Sequence, residues 1–235
     1  MLDFDVAKGD YSKLQGMNPF KSIAVPRPIG WISTVSKNGV DNLAPYSQFC
    51  NVGFDPPYVM FAAQPRIDQS RKDSVVNAED MGCFVHNMVT YDLKEKMNIT
   101  GVSSDPSVDE FEAAGLTKLD SVLVPAKRVA ESPIQMECEY VTTIRLPGSS
   151  PSCHSDIVIG KVIMIHINED YVLPDGKLDI LKLRPLSRLG YADYTSVTEL
   201  FEMSYKSMKK DPIPKYGLDE SRVIEERGYE RFVRF

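Results

Sequence analysis

The chain has 235 residues, 43% of them hydrophobic and 26% charged, which suits one sizeable core with decorations and excludes a disordered or membrane-embedded chain as the starting assumption. A formal net charge of −6 with dispersed basic residues gives no general attraction to nucleic acid, although a single small phosphate stays compatible. No apolar run is long enough for a membrane helix, MLDFDVAKGD lacks the order of a signal peptide, and Cys50, Cys83, Cys138 and Cys153 are spaced as reduced thiols, so the expected setting is cytoplasmic.

Residues 1–24 read as an N-terminal extension ahead of a main domain over 25–191. Pro26 and Pro28 hold the entry extended. A strand follows over Ile29–Ser36, with Ile29, Trp31 and Val35 on one face and Ser33 interrupting it. Asn38-Gly39 is the dipeptide of a tight hairpin, and the chain returns through Leu43–Phe49, where Pro45 removes a ladder donor and predicts an edge or a bulge. After Pro56-Pro57, Tyr58–Ala63 is nearly all apolar and predicts a central strand buried on both faces.

The polar loop Gln64–Ser74 opens a short helix, Asp73–Asp80, with Ser70 or Asp73 as N-cap and Gly82 as its stop. Cys83–Val89 reads as a strand, Tyr91–Ile99 as an amphipathic helix and Asp109–Ala114 as a helical turn ended by Gly115. Ile134, Met136, Cys138 and Tyr140 alternate with Gln135, Glu137 and Glu139, which predicts a half-buried antiparallel strand with a solvated acidic face. Its expected partner is Asp156–Asn168, across the Pro147–Ser155 loop. Asp175-Gly176 marks a further hairpin. Residues 192–235 read as a C-terminal helix and arm, the helix over Thr195–Lys209. The fold class expected is mainly β (α+β), a small antiparallel barrel with peripheral helices. With no GxGxxG or GxxxxGK[ST] in the chain, any phosphate must be held by a loop and side-chain donors.

Two segments offer such donors: the ledge Tyr46-Ser47-Gln48-Phe49-Cys50-Asn51 and the loop Ser70-Arg71-Lys72-Asp73-Ser74 at a helix start. Arg71 and Lys72 give charge-assisted bonds, Ser47 and Ser74 give hydroxyls, and the helix adds free N–H groups with a favourable dipole. No metal site is expected, because Cys83 with His86 and Cys153 with His154 do not make a zinc set. No Ser-His-Asp arrangement follows from the spacings.

PRPIGWISTVSKNG, DNLAPYSQFCNV, DPPYVMF, RKDSVVNAEDMGCFVHNMV, DEFEAAGL, ESPIQMECEY and IVIGKVIMIHIN occur in that order, and over Val25–Tyr191 the chain resembles the flavin reductase-like, FMN-binding split-barrel family. The resemblance implies a six-stranded antiparallel split barrel and an FMN held at the interface of a homodimer. It implies that Asn42 through Asn51, and with it Ala44, Pro45, Tyr46, Ser47, Gln48 and Phe49, lies against the isoalloxazine and ribityl chain, and that Lys72-Asp73-Ser74 beside Arg71 meets the phosphate. Ser33 and Thr34 are candidates for the flavin edge, and Asn87 for a polar flavin or ribityl group. His166 is a candidate near the nicotinamide or a substrate, and His86 stands where relatives carry an aliphatic residue. The function expected is an FMN-dependent oxidoreductase, a flavin reductase drawing on NADH or NADPH. The alternatives are a flavoprotein oxygenase acting on a small organic substrate, or a non-catalytic FMN, haem or electron-transfer protein.

Overall fold

A computed structural model of the chain describes residues 1–150 and 153–202. The chain divides into Met1–Thr198 and Glu199–Phe235; only 199–202 of the second are described, and they carry no helix or strand. The strands are β1 (Arg27–Pro28), β2 (Gly30–Val35), β3 (Asp41–Tyr46), β4 (Phe49–Phe54), β5 (Pro57–Ala63), β6 (Cys83–Met88), β7 (Lys118–Leu119), β8 (Arg128–Val129), β9 (Ile134–Leu146), β10 (Ser155–Ile167), β11 (Leu186–Gly190) and β12 (Asp193–Ser196). The helices are α1 (Phe20–Ile23), α2 (Asp73–Met81), α3 (Lys94–Ile99), α4 (Glu110–Ala113) and α5 (Ile180–Leu183).

Seven strands form one antiparallel sheet in the order β3-β2-β6-β9-β10-β5-β4, beside the smaller sheets β1-β11-β12 and β7-β8. The expected count was six. The difference arises at Ser47-Gln48, where the single return strand expected over Leu43–Phe49 breaks into β3 and β4, which then take opposite ends of the order. Pro45 accordingly sits on an edge strand, where its missing N–H leaves no inner ladder incomplete.

The period-2 pattern of β2 sends Trp31 to one side and Ile32 to the other, and all six of its residues are buried. Trp31 packs with Leu43, Met97 and Phe111, and its indole Nε1 donates to Thr100 Oγ1 at 2.8 Å. Ile32 packs with Val59, Phe61, Val75 and Phe84. The sheet closes on itself on this second side: Tyr46 of β3 meets Phe61 of β5 at 5.0 Å between ring centroids, and Phe49 of β4 stacks on His86 of β6 at 4.4 Å and 4°. Gly30 makes room for that stack, since a Cβ there would lie 2.6 Å from the Phe49 ring. Gly30→Ala is therefore expected to displace Phe49 and cost about 1–3 kcal/mol, read as a lower urea midpoint; an unchanged midpoint would show that the ring yields freely.

Several local expectations change. Only Gly39, at φ 81°, takes a positive φ in the β2–β3 loop; its N–H donates to the Ser36 carbonyl and Ser36 N–H to the Val40 carbonyl, a longer turn than the two-residue kind expected of Asn38-Gly39. β5 alternates, with Val59, Phe61 and Ala63 buried and Tyr58, Met60 and Ala62 half-buried, so one of its faces stays partly open. Lys72, not Ser70 or Asp73, stands at the N-cap of α2, without a side-chain cap. Gly82 ends that helix in the left-handed region as expected. The segment Tyr91–Ile99 begins as a 3-10 turn, Tyr91–Leu93, before α3. The expected helix over Thr195–Lys209 is not formed in its described part: Thr195 and Ser196 close β12, 197–202 carry no helix, and 203–235 lie outside the described residues.

Gln135 and Glu137 are the clearest departure. Both were expected on a solvated strand face, and both are buried. The segment 120–129 folds over them: Val122 and Leu123 N–H each donate to the Glu137 carboxylate at 2.7 Å, and Gln135 Nε2 donates to the Val129 carbonyl at 3.1 Å. Burial opposes the Glu137 charge, but those two N–H bonds and His166 together hold its carboxyl below the ordinary range.

Candidate functional site

Because β3 is an edge strand, one of its sides is free to form the wall of an open cleft. Asn42, Ala44, Pro45 and Tyr46 line it from β3, Arg66, Lys72, Asp73 and Ser74 from the loop and first turn of α2, and Gly101–Ser104 from the opposite side. Past Pro45, Gly101 and Val102 the cleft continues to Ser47, Met97, Asn98, Arg188 and Tyr194.

Asn42 is the hub beneath the β3 wall. Its Nδ2 donates to Glu110 Oε2 at 2.8 Å, and its Oδ1 accepts from Ser74 Oγ at 2.9 Å and Thr34 Oγ1 at 3.3 Å. Glu110 also accepts the Leu43 N–H at 3.0 Å, and Asn77 Nδ2 donates to Thr34 Oγ1 at 3.2 Å. Burial pushes the Glu110 carboxyl up, against the bonds from Leu43 and Asn42. The Tyr46 phenol is hydrogen-bonded with Ser74, and its complete burial keeps it protonated throughout the ordinary pH range. Thr34, Asn42 and Ser74 thus fix the β3 wall from behind.

The α2 end of the cleft carries the positive charge. Arg66 pairs with Asp73, while its Nε is buried without a partner among the described residues. Lys72 makes no ion pair among the described residues; burial, and then Arg66 beside it, hold its ammonium below the ordinary lysine value. Burial raises the Asp73 carboxyl, opposed by Arg66 and Lys72. The first helical bonds run from the Val75 and Val76 N–H groups to the Lys72 carbonyl, which leaves the Asp73 and Ser74 N–H groups outside the ladder. A cation pair and open N–H groups at a helix start are donors of the kind that suit an anion.

The sequence candidates divide accordingly. Ala44, Pro45, Tyr46, Ser47, Lys72, Asp73 and Ser74 line the cleft, with Thr34 directly behind it. Gln48 and Asn51 are exposed beyond the end of β3, and the Phe49 ring turns inward onto His86. Ser33 and Asn87 lie on the other face of β2: Ser33 Oγ donates to the Lys127 carbonyl at 2.5 Å, Asn87 Nδ2 donates to Ser33 Oγ at 3.1 Å, and Asn87 Oδ1 accepts the Val129 N–H at 2.8 Å. These bonds dock the 124–129 segment. Arg71 also faces elsewhere. It clamps Glu79 through two bonds of 2.6 and 2.7 Å and donates to Asp156 at 2.8 Å, so Arg66 supplies the arginine at the cleft. Arg66 went unnoticed because RKDS looked sufficient, and the distant partner Asp156 that draws Arg71 away leaves no local signal. His166 Nε2 lies 2.7 Å from Glu137 Oε1, outside the cleft.

His86 is buried against Phe49 with Nδ1 unpartnered, and burial lowers its pKa to about 4, so the ring is neutral. A neutral imidazole packs there as an aromatic, where an aliphatic residue was the family expectation.

Residues 22–182 match the model of the flavin reductase like domain, and the chain belongs to that family. An uncharacterized protein of Aquifex aeolicus (strain VF5) is 40% identical over 169 residues, 72% of this chain and 83% of the relative. Nitrilotriacetate monooxygenase component B from Bacillus cereus has a similar structure, with a TM-score of 0.79, 30% identity, and 86% of this chain and 98% of that one covered. Flavoredoxin of Desulfovibrio vulgaris (Miyazaki F), at 20% identity and a TM-score of 0.65 over 82% of this chain and 100% of that one, shares the fold. No helix among the described residues is long and apolar enough to cross a membrane.

Proposed function

We propose that this protein is an FMN-dependent flavin reductase drawing on NADH or NADPH, with the barrel of residues 25–191 carrying the site. The observation that carries the reading is the cleft along β3 that ends at Arg66, Lys72 and the open N–H groups of α2. That donor set fits a phosphate: among the described residues the buried Nε of Arg66 has no acceptor, and Lys72 makes no ion pair. Ala44, Pro45 and Tyr46 offer the ring a firm wall, held by the Asn42 hub. FMN when bound supplies the two-electron chemistry, while the protein binds, orients and shields it. Tyr46, protonated at all working pH values, supports the wall without adding charge.

A second copy completes the site in this reading. Cys50, Met60, Ala62, Ile157 and Ile159 are half-buried on one face of β4, β5 and β10, and Ile144 of β9 is 47% exposed beside Ile157. That continuous apolar surface suits an isologous partner. The free cysteines among the described residues fit a reducing, cytoplasmic setting.

Purified protein mixed with FMN is expected to retain the flavin absorption band through gel filtration, to scatter light as a dimer, and to oxidise NADH or NADPH faster than free FMN does. Retention of flavin without that acceleration would remove the enzymatic claim and leave a carrier; elution as a monomer would remove the dimer. The monooxygenase name of the 30% identical Bacillus cereus relative favours one second reading, a flavoprotein oxygenase, which requires that flavin oxidation be coupled to turnover of an organic substrate.

A further inference from the structure

Beyond Pro45 and Val102 the cleft opens onto the small sheet β1-β11-β12, where Arg188 and Tyr194 line two adjoining recesses that α3 borders through Met97 and Asn98. Arg188 of β11 is paired directly with Tyr194 of β12 and with Arg27 of β1, so the three side chains share one face. Like charges placed opposite one another are unfavourable unless an anion lies between or near them. Among the described residues neither arginine has a carboxylate within ion-pair distance. Arg27 Nη1 donates to the Lys21 and Ala24 carbonyls, both at 3.0 Å, and its Nε is buried without a partner.

Arg188 is held ready for a ligand. Its guanidinium lies 4.4 Å from the centroid of the Tyr194 ring, and its Nη1 donates to the Tyr194 hydroxyl. Stacking and that bond fix the plane of the fork, and among the described residues Nε with Nη2, the edge that meets an oxyanion through two parallel bonds, has no acceptor. The rim adds Glu95 and Lys94, whose ammonium lies over the Tyr91 ring. Arg188 is the cation that lines both recesses, and Arg27 lies outside their lining.

We propose that this recess binds an oxyanion of the second reactant, a phosphate of a nicotinamide dinucleotide or the carboxylate of a small organic substrate, with Arg188 as its anchor. The assignment of the ligand as a second reactant rests on the flavin reading, because it is the continuity with the β3 cleft that brings such a molecule beside the ring.

The test is calorimetric titration of the full chain with NADP⁺ and, separately, with benzoate, each with and without FMN. One of the two is expected to bind the wild type; Arg188→Met should weaken it about tenfold or more, Arg188→Lys should recover part of the loss, and FMN affinity should change less than about twofold. NADP⁺ binding assigns the dinucleotide, and benzoate binding the organic carboxylate. The proposal is overturned if neither binds the wild type, if Arg188→Met binds as tightly, or if Arg188→Met loses FMN by the same factor. A wild type that binds no FMN refutes the flavin reading instead, and the titrations without FMN then decide the recess.

Discussion

Exchanging Arg66 and Lys72 together for glutamine is expected to weaken FMN binding about a hundredfold, which corresponds to about 2.7 kcal/mol, while riboflavin binding changes less than about twofold. The two flavins differ only in the phosphate, so their ratio isolates the anion end of the cleft from the ring wall. Charge-assisted bonds to a partly buried anion supply an effect of this size. Loss of Arg66 also leaves the half-buried Asp73 carboxylate without its partner, adding repulsion in the same direction. Arg71→Gln, in contrast, should leave the FMN-to-riboflavin ratio untouched, because that guanidinium is held by Glu79 and Asp156. Equal losses for both flavins in the double variant would mean that the phosphate sits elsewhere.

Asp156→Ala is expected to lower stability by about 2–3 kcal/mol, measured as a shift of the urea midpoint at neutral pH. The Asp156 side chain is only 3% exposed and joins Arg71 with Arg145, whose Nε donates to it at 2.7 Å, and Arg71 in turn holds Glu79. One carboxylate thus ties the loop before α2 to α2, β9 and β10. Burial opposes its ionisation, and the two arginines overcome that and hold its carboxyl below the ordinary range; Arg71 does the same for Glu79. Both folded values lie below the unfolded ones, so this contribution is complete above the ordinary carboxylate range near pH 4 and fades as pH falls through the lowered values. The wild type should lose stability on acidification below that point, and Asp156→Ala should lose less. Parallel acid profiles would show that the cluster adds nothing.

The features legible in the sequence are those with local causes. Pro45 named an edge because a missing donor restricts a strand wherever it falls, and Gly82 and Asp109 marked their helix ends through backbone geometry and a side-chain cap. The ordered motifs gave the family and located the β3 wall and the start of α2. What escaped depends on distant chain. Glu137 lies in a pattern that spells a solvated face, and it is buried because residues 120–129, which carry no strong period, fold across it. Ser33 and Asn87 were drawn away by the same segment. Arg66 and Arg71 share one loop and one chemistry, and only Asp156, 85 positions further along, separates their roles. Tyr58–Ala63 looked buried on both faces because apolarity alone does not distinguish a core face from a half-open one.

β3 and β4 are the two ends of the seven-strand order, yet only Ser47 and Gln48 separate them in the chain. The closing contacts of the barrel, Tyr46 of β3 on Phe61 of β5 and Phe49 of β4 on His86 of β6, therefore start from neighbouring points of one short segment and close loops much shorter than that of the β5–β10 pairing. Within the seven-strand sheet, the pairing of greatest sequence separation is that of β5 with β10, from Ala63 to Asp156. The cleft wall of β3 is thus tied to the opposite end of the sheet by the chain itself, through a two-residue joint that doubles as the seam of the barrel.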